Sequence, residues 1–265
     1  MIATEILDYY RRGGEVTRLS AGVGRLEFLR TWDVLTRVMP PAPATVLDVG
    51  GATGVYAGPL AAAGYAVRLV DPVPEHVSAA ARLPGVSATL GDARSLPVPD
   101  ASVDAVLMLG PLYHLLERDE RLAAWREAGR VARPGAPVVA ATINRFAALF
   151  DGLAKGLFAD PRYGPVVERG LADGVHRNPD LATGWFTTAY FHRPEELPEE
   201  VREAGLELDR MVAVESPLWL VGPRLDAILA VPGDLDRMLD LVRGVESEPN
   251  LLGASSHLLT VARPR

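Results

Sequence analysis

The stretch of sequence that decides the fold is Thr45-Val46-Leu47-Asp48-Val49-Gly50-Gly51-Ala52-Thr53-Gly54. Its first half is mostly apolar without a clean alternation, which predicts a buried strand of a parallel sheet. The glycines that follow permit a tight turn and let a ligand approach the backbone without meeting a side chain. A helix is predicted from Val55 to Ala63, so its free N–H groups would face that ligand. A strand, a glycine-rich turn and a helix predict a nucleotide-type binding site.

The turn lacks the patterns that bind dinucleotides and triphosphates. In a G-x-G-x-x-G pattern, glycines would stand where this chain has Ala52 and Val55. The G-x-x-x-x-G-K-[ST] pattern is also absent, and the only lysine, Lys155, lies far from the turn in sequence. The turn instead begins with Asp48, and an acid at this place suits a ligand that carries a positive charge.

Strands and helices alternate along the rest of the chain. Further strands are predicted at residues 66–71, 86–90, 103–109, 137–143, 206–214 and 256–262. Helices are predicted at residues 26–38, 75–83, 119–132, 195–204 and, in the main, 217–243. This alternation predicts a doubly wound α/β fold with a parallel sheet and right-handed crossovers.

The composition limits the classes of function. A formal net charge of −7 disfavours a nucleic-acid backbone as partner, and the absence of cysteine excludes disulfides and thiolate zinc sites. The first residues lack the basic region of a secretory signal, and no apolar run approaches the roughly 18 residues of a membrane span. We therefore expect a cytoplasmic protein without a membrane partner. A single lysine beside many arginines is typical of a GC-rich bacterial genome.

Five motifs in order resemble the class I S-adenosylmethionine-dependent methyltransferases. They are the opening turn at 46–54, Asp71 at the end of the second strand, Gly91-Asp92-Ala93, the strand Asp104 to Gly110, and Val131-Ala132-Arg133-Pro134-Gly135-Ala136. Asp71 lies 21 residues beyond Gly50, close to the spacing at which an acid meets a ribose hydroxyl in nucleotide folds. The resemblance implies a Rossmann-like seven-stranded sheet, mostly parallel with an antiparallel last strand, with helices on both faces.

The resemblance also implies a set of contacts to S-adenosylmethionine. They are Asp48, Gly50, Ala52, Gly54, Asp71, Pro72, Gly91, Asp92, Ala93 and Leu109. The backbone of the turn would lie alongside the methionine part of the cofactor. Asp48 would hold the amino group of that part, directly or through water. Asp71 would accept both ribose hydroxyls. Asp92 would accept from the adenine amino group, the Ala93 N–H would donate to the ring, and the Leu109 carbonyl would bind the ammonium.

Some of these residues have simpler interpretations. Asp48 and Asp92 have a turn or helix-cap role as their less favoured alternative. Ala52 stands where the family usually has glycine, so its methyl group must fit between the turn and the cofactor. The N-terminal segment is similar to arms that close over the cofactor, and Tyr10, Arg18 and Arg30 are its candidate contacts. For each of these three taken alone, a solvated or packing position is the favoured interpretation.

The first candidates for the chemistry follow the fourth strand. Methyl transfer needs an acceptor held about 3 Å from the methyl group, and a base only if the acceptor loses a proton. Nucleic-acid amino methyltransferases carry a polar side chain where this chain has Gly110, which disfavours that chemistry. Tyr113 and His114 are the candidate catalytic residues, because a histidine near its unperturbed pKa is a plausible base at neutral pH. Both would equally suit packing at the start of a helix.

Residues 144–197 form an aromatic-rich segment without a regular pattern. It follows the fifth strand and therefore lies at the carboxyl edge of the sheet, where ligands bind. We expect a lid or an acceptor pocket there, with an ordinary satellite core as the alternative. His176 and His192 are its weaker catalytic candidates. His76 and His257 are interpreted as structural, and no spacing of acids and histidines indicates a metal site.

The domain prediction is an N-terminal helical cap at 1–43 and a methyltransferase domain at 44–265. The domain holds a lid at 144–197 and a smaller helical insertion at 217–250. The predicted function is methyl transfer from S-adenosylmethionine to an oxygen or nitrogen atom of a small molecule, by a monomer or homodimer that does not bind nucleic acid. The alternatives are a peptide or protein acceptor, an RNA acceptor and a non-catalytic cofactor-binding protein.

Overall fold

The structure is a computed structural model that describes residues 5, 6, 9, 19, 22–178 and 180–265. Nine strands lie within these residues. They are β1 Thr45–Val49, β2 Ala66–Asp71, β3 Val86–Leu90, β4 Ala105–Met108, β5 Val138–Asn144, β6 Val175–His176, β7 Ala189–His192, β8 Leu206–Ala213 and β9 His257–Pro264.

Seven of the strands form the predicted sheet. The order β3-β2-β1-β4-β5 is parallel throughout, β9 pairs antiparallel with β5, and β8 pairs antiparallel with β9. The predicted mostly parallel sheet with an antiparallel last strand is confirmed. The predicted number of seven strands is wrong, because β6 and β7 add two short strands at the carboxyl end of β5.

Helices cover both faces of the sheet. Their bounds are α1 Gly22–Val38, α2 Ala57–Ala62, α3 Pro74–Ala80, α4 Arg118–Val131, α5 Ala147–Lys155, α6 Tyr163–Asp173, α7 Glu196–Glu203, α8 Leu225–Leu229, α9 Asp234–Arg243 and α10 Pro249–Leu252. Short 3₁₀ helices lie at Leu112–His114, Leu157–Ala159, Leu181–Thr183 and Leu218–Arg224. In the described part of the chain, no helix combines the length and apolarity needed to cross a membrane.

The two faces of β1 carry two separate hydrophobic cores. Leu47 and Val49 point to the face covered by α4 and α7, where Trp125 is fully buried. Val46 points to the opposite face, where it packs with Leu35 of α1 and Leu60 of α2. Successive strand residues point to opposite faces, so a strand that is buried throughout needs helices on both sides. This packing confirms the doubly wound arrangement.

The segment 144–197 is regular, which the sequence pattern did not predict. It contains α5 and α6, which end at Gly156 and Gly174 in the left-handed conformation that glycine adopts without strain. The hairpin of β6 and β7 follows, and β7 pairs in parallel with the end of β5. The segment therefore lies at the carboxyl edge of the sheet, as its position after β5 predicted.

Candidate functional site

The carboxyl ends of β1, β2 and β4 border a cavity of about 140 Å³, which we call the large cavity. Most of the residues proposed from the sequence line it. They are Asp48, Gly50, Ala52, Asp71, Pro72, Gly91, Asp92, Ala93, Leu109, Tyr113 and His114. They come from four different strand ends and the loops after them, and the parallel sheet brings all of these ends to one edge.

Asp48 is the most unusual group of the large cavity. Its carboxylate is buried, and neither oxygen has a hydrogen-bond partner among the described residues. Burial raises the pKa of Asp48 to about 7, and the neighbouring Asp71 carboxylate adds to this rise. A Cβ on Gly51 would lie 2.4 Å from Asp48 Oδ2, so only glycine fits beside this carboxylate. A buried acid without a partner is costly, and a cationic ligand would supply one.

Asp71 is held by the glycine-rich turn. Its Oδ2 accepts a hydrogen bond from the Ala52 N–H at 2.9 Å, and its Oδ1 accepts one from the Val73 N–H at 2.9 Å. His76 Nδ1 lies 3.1 Å from Oδ1, and His76 also lines the large cavity, so its interpretation as purely structural was incomplete. A carboxylate has about four acceptor positions, so these contacts fix Asp71 and leave acceptor capacity for a ligand.

Asp92 is fixed by a residue that the sequence pattern did not reveal. Its Oδ1 accepts from both the backbone N–H and Nε of Arg94 at 2.9 Å, and its Oδ2 accepts from Arg94 Nη2 at 2.5 Å. Hydrogen bonding to Arg94 holds the pKa of Asp92 below its usual value. Arg94 also pairs with Glu120 of α4, which anchors the loop after β3. Asp92 therefore stays ionised at the border of the cavity.

Two of the residues proposed for the cofactor lie elsewhere. Gly54 does not line the cavity, because it faces the helical side, where an added Cβ would meet Leu83 at 2.5 Å. Arg30 is fully buried in α1, with Nη1 2.6 Å from Asp33 Oδ2 and Nη2 2.8 Å from Glu246 Oε2. Asp33 lies in α1 itself, whereas the pair with Glu246 ties α1 to residues 217–250, so these contacts indicate a structural role for Arg30.

Only part of the N-terminal arm is described. Tyr10 and Arg18 lie outside the described residues. Ile6 and Leu19 are described, and both line the large cavity. The proposed closing role of the arm therefore stays a prediction.

Tyr113 and His114 lie in the 3₁₀ helix after β4 and border the large cavity. The Tyr113 hydroxyl donates to the Leu109 carbonyl at 3.4 Å, and the His114 ring stacks on Phe186 with ring centres 6.1 Å apart. The expectation of a near-normal histidine was wrong, because burial lowers the pKa of His114 to about 3. A histidine with so low a pKa stays neutral at physiological pH and is a weak base.

The two histidines of the 144–197 segment are structural. His176 is buried in β6, where its ring stacks on Phe191 with ring centres 5.1 Å apart. His192 is buried at the end of β7, with Nε2 3.5 Å from Glu200 Oε2. Neither lines a described cavity, and burial lowers the pKa of both. Their place away from both cavities disfavours the catalytic role predicted for them, which stays an untested prediction.

A smaller cavity of about 50 Å³, the small cavity, adjoins the large one and shares Leu19, Tyr56, Leu109 and Tyr113 with it. Glu27 of α1 and His257 at the start of β9 line its far side. The ligand atoms of Glu27, Glu215 and His257 lie within 4.8 Å of one another, a cluster that their sequence positions did not suggest. His257 Nδ1 lies only 2.5 Å from Glu215 Oε1, so we interpret the pair as directly hydrogen-bonded and not as a metal site.

Residues 46–135 match the profile of a protein family described as "Methyltransferase domain". The match spans the glycine-rich turn, Asp71, Asp92 and the residues after β4, which are the residues that build the large cavity. This match, together with the methyltransferase relatives and the structures of similar fold described next, supports a class I S-adenosylmethionine-dependent methyltransferase domain in this chain. The family match implies S-adenosylmethionine as the cofactor.

Known proteins similar to this methyltransferase support the assignment. An uncharacterized methyltransferase from Mycobacterium tuberculosis is 38% identical over 99 residues, which cover 37% of this chain and only 39% of that relative. A ubiquinone biosynthesis O-methyltransferase from Xylella fastidiosa is 29% identical over 202 residues, or 74% of each chain. The crystal structure of an S-adenosylmethionine-dependent methyltransferase from Methanosarcina mazei has the same fold, with a TM-score of 0.59, 18% identity and coverage of 87% of this chain and 96% of that one.

The residues of the large cavity fit this cofactor. The amino acid part of S-adenosylmethionine carries an ammonium group, which suits the unpartnered Asp48 carboxylate. Asp71, fixed by two backbone N–H groups, suits a pair of hydroxyls. Which of these residues contact the cofactor stays a prediction that substitution can test.

Proposed function

We propose that this methyltransferase transfers a methyl group from S-adenosylmethionine to an oxygen or nitrogen atom of a small molecule. The observation that carries the proposal is the buried, unpartnered Asp48 carboxylate beside Asp71 in the large cavity. This arrangement favours a ligand that brings a cation and hydroxyl groups together. The name of the O-methyltransferase relative, matched over 74% of both chains, supports oxygen as the accepting atom.

The cofactor supplies a methyl group that its positively charged sulfur has already activated. The residues of the chain then have to bind and orient the cofactor and the acceptor, and they have to exclude water from the site. Asp48 would neutralise the ammonium of the amino acid part, and Asp71 would accept the ribose hydroxyls. Much of the rate comes from holding the acceptor about 3 Å from the methyl group in line with the leaving atom. Ile6, Leu109 and Tyr113 provide apolar walls that limit water near this position.

The size and lining of the small cavity favour a small acceptor. It adjoins the large cavity through shared residues, and its volume of about 50 Å³ suits a compact group rather than an extended polymer. Apolar side chains, among them Val214 and Leu259, form part of its walls, and the polar side chains of Glu27, Thr31 and His257 form the rest. The acidic balance of the chain, with a formal net charge of −7, disfavours RNA as the acceptor.

A labelled-methyl assay tests the proposal. The purified protein is incubated with S-adenosylmethionine that carries a labelled methyl group and with three fractions of a bacterial extract, which hold small molecules, proteins and RNA. We expect label in the small-molecule fraction with the wild type and a strong reduction with Asp71→Ala. Label confined to the protein or RNA fraction would replace the proposed acceptor class. Absence of label in every fraction would support a non-catalytic role.

A further inference from the structure

The Asp48 carboxyl group is enclosed in the wall of the large cavity. Asp48 is 1% exposed, and neither of its oxygens has a hydrogen-bond partner among the described residues. The glycine-rich turn and β2 close over it, since a Cβ on Gly51 would lie 2.4 Å from Asp48 Oδ2 and 2.7 Å from Leu69 Cδ1. Asp48 nevertheless borders the large cavity. A ligand in this cavity can therefore reach a carboxyl group that bulk water barely touches.

The charged group that acts on Asp48 is another acid. Asp71, at the end of β2, carries a negative charge that opposes the ionisation of Asp48. His76, in the first turn of α3, directs its Nδ1 to Asp71 Oδ1 at 3.1 Å. The other titratable side chains described along the large cavity are Tyr56, Asp92, Tyr113 and His114. Within the described part of the chain, none of these groups forms a hydrogen bond with Asp48.

Asp71 and Asp48 differ in the donors that face them. Asp71 accepts hydrogen bonds from the Ala52 and Val73 N–H groups, which stabilise its negative charge. Asp48 accepts none from the described residues, so burial favours its neutral form. Burial and the Asp71 charge together raise the pKa of Asp48 to about 7. In the free protein, Asp48 is therefore protonated in about half of the molecules at pH 7 and in about nine-tenths at pH 6.

Binding of the cofactor changes the charge beside Asp48. The amino acid part of S-adenosylmethionine carries an ammonium group, whose N–H groups can donate to a carboxylate and whose charge favours the ionised form. A carboxyl group that keeps its proton forms no such ion pair. The proton therefore leaves Asp48 when the ammonium group arrives, and the solvent accepts it. No covalent bond of the cofactor changes in this step.

We infer that the protein binds S-adenosylmethionine in exchange for a proton, which Asp48 releases to solvent as its carboxylate pairs with the ammonium group of the cofactor. The inference rests on the proposed function, since it takes the large cavity as the cofactor site. Before binding, the proton on Asp48 spares the protein a second buried negative charge beside Asp71. After binding, the ammonium group takes the place of that proton.

The exchange gives the cofactor affinity a defined dependence on pH. Below about pH 7 the free protein holds a proton that the complex has lost, so protons compete with the cofactor and the affinity falls as the pH falls. The dissociation constant should rise about ten-fold from pH 8 to pH 6 and about 100-fold from pH 8 to pH 5. Near pH 8 most free molecules already carry an ionised Asp48, so the dependence levels off there.

Calorimetric titration in pairs of buffers measures the number of protons that binding releases. S-adenosylhomocysteine, which carries the same ammonium group, is titrated into the wild type at pH 6 and at pH 8, each time in two buffers with different enthalpies of ionisation. The difference between the observed enthalpies gives the number of protons. We expect about 0.9 protons per bound ligand at pH 6 and about 0.1 at pH 8. The control ligand 5′-methylthioadenosine, which lacks the ammonium group, should release almost none.

Substitution assigns the released proton to Asp48. Asp48→Asn keeps the size of the side chain but has no proton to lose, so the release at pH 6 and the ten-fold change in affinity between pH 8 and pH 6 should both disappear. Asp151→Asn, at a partly exposed acid that pairs with Lys155, is the matched control and should behave as the wild type. Equal proton release by the folded Asp48→Asn variant and the wild type would overturn the inference, because another group would then supply the proton.

Carbon NMR of the aspartate carboxyl groups gives a second measurement that needs no variant. In the free wild type the Asp48 signal should titrate with a midpoint near pH 7, and in the S-adenosylhomocysteine complex it should have the ionised position at pH 6. A free protein whose Asp48 is already ionised at pH 6, or a wild type that binds the ligand at pH 6 without releasing a proton, would also overturn the inference. A wild type that binds no S-adenosylhomocysteine at either pH would instead contradict the proposed function, so the two failures are distinguishable.

Discussion

Asp48 and Glu215 are both buried acids at the carboxyl edge of the sheet, but their surroundings differ. Neither oxygen of Asp48 has a hydrogen-bond partner among the described residues, and burial raises its pKa to about 7. Both oxygens of Glu215 accept hydrogen bonds, from Ser255 and twice from His257, and its pKa is lowered. The first acid borders the large cavity, and the second lies behind the small one.

The difference indicates how each acid contributes to function. An unpartnered buried carboxylate costs stability, so its retention is explained by a ligand that pairs with it. A fully bonded carboxylate stabilises the protein and holds a neighbouring ring in place. We therefore expect Asp48 to contribute to ligand binding, whereas Glu215 holds the His257 ring in place. Substitutions at the two acids should have opposite effects on stability.

The largest effect is expected for Glu215→Ala. The substitution removes the acceptor of the Ser255 hydroxyl and of the His257 backbone N–H, so the free energy of unfolding should fall by about 3–5 kcal/mol. Urea unfolding measures this loss. Glu248→Ala, at an exposed acid near the same region, is the control and should change stability by less than about 0.5 kcal/mol. Equal effects of the two substitutions would remove the proposed contrast.

Asp48→Asn should raise the free energy of unfolding, whereas Glu215→Ala lowers it, and the gain should depend on pH. The pKa of Asp48 is about 7 in the folded protein, against an ordinary value of 3.8 for this side chain. Between about pH 4 and pH 7 the unfolded carboxyl releases its proton while the folded one keeps it, so wild-type stability falls by up to about 4 kcal/mol. Above pH 7 the penalty stays constant. Asp48→Asn lacks this titration, so urea unfolding should favour the variant increasingly from about pH 4 to pH 7. Parallel pH curves for the two proteins would show that Asp48 is partnered.

A smaller effect is expected for Ser255→Ala. Its hydroxyl donates to Glu215 Oε2 at 2.7 Å and accepts from the Glu215 backbone N–H at 2.9 Å. Loss of a hydrogen bond to a charged group should lower the free energy of unfolding by about 1.5–3 kcal/mol. Thermal unfolding of Ser255→Ala beside Ser247→Ala, at an exposed serine, measures the difference. A stability loss in Ser255→Ala no larger than in the control would show that water replaces the hydroxyl.

The two regions also differ in how much the sequence could predict. The large cavity is bordered by Asp48, Asp71 and Asp92, each of which lies within two residues of the end of a strand with a recognisable pattern. Short segments of this kind keep their geometry in any parallel sheet, so their spacing predicted where they lie. The small cavity combines Glu27 with His257, which lie far apart in the chain. Their approach depends on how α1 and β9 pack, and no local pattern specifies this.

The errors have the same physical origin. Arg30, His176 and His192 were proposed because polar residues in such segments can face a ligand, but all three are buried, and Arg30 and His192 lie beside acids. Gly54 was proposed from the motif as a cofactor contact. In the structure, a Cβ at this position would meet the Leu83 side chain. The low pKa of His114 comes from burial, which sequence cannot quantify.

Calorimetric titration with S-adenosylhomocysteine tests the central claim most directly. We expect the wild type to bind, and Asp71→Ala to bind more weakly by about 2–5 kcal/mol, which is roughly 30-fold or more in the dissociation constant. Asp151→Ala, whose carboxylate pairs with Lys155 in α5, is the control and should bind as the wild type. No measurable binding by the folded wild type, or equal affinity of the wild type and Asp71→Ala, would contradict the account.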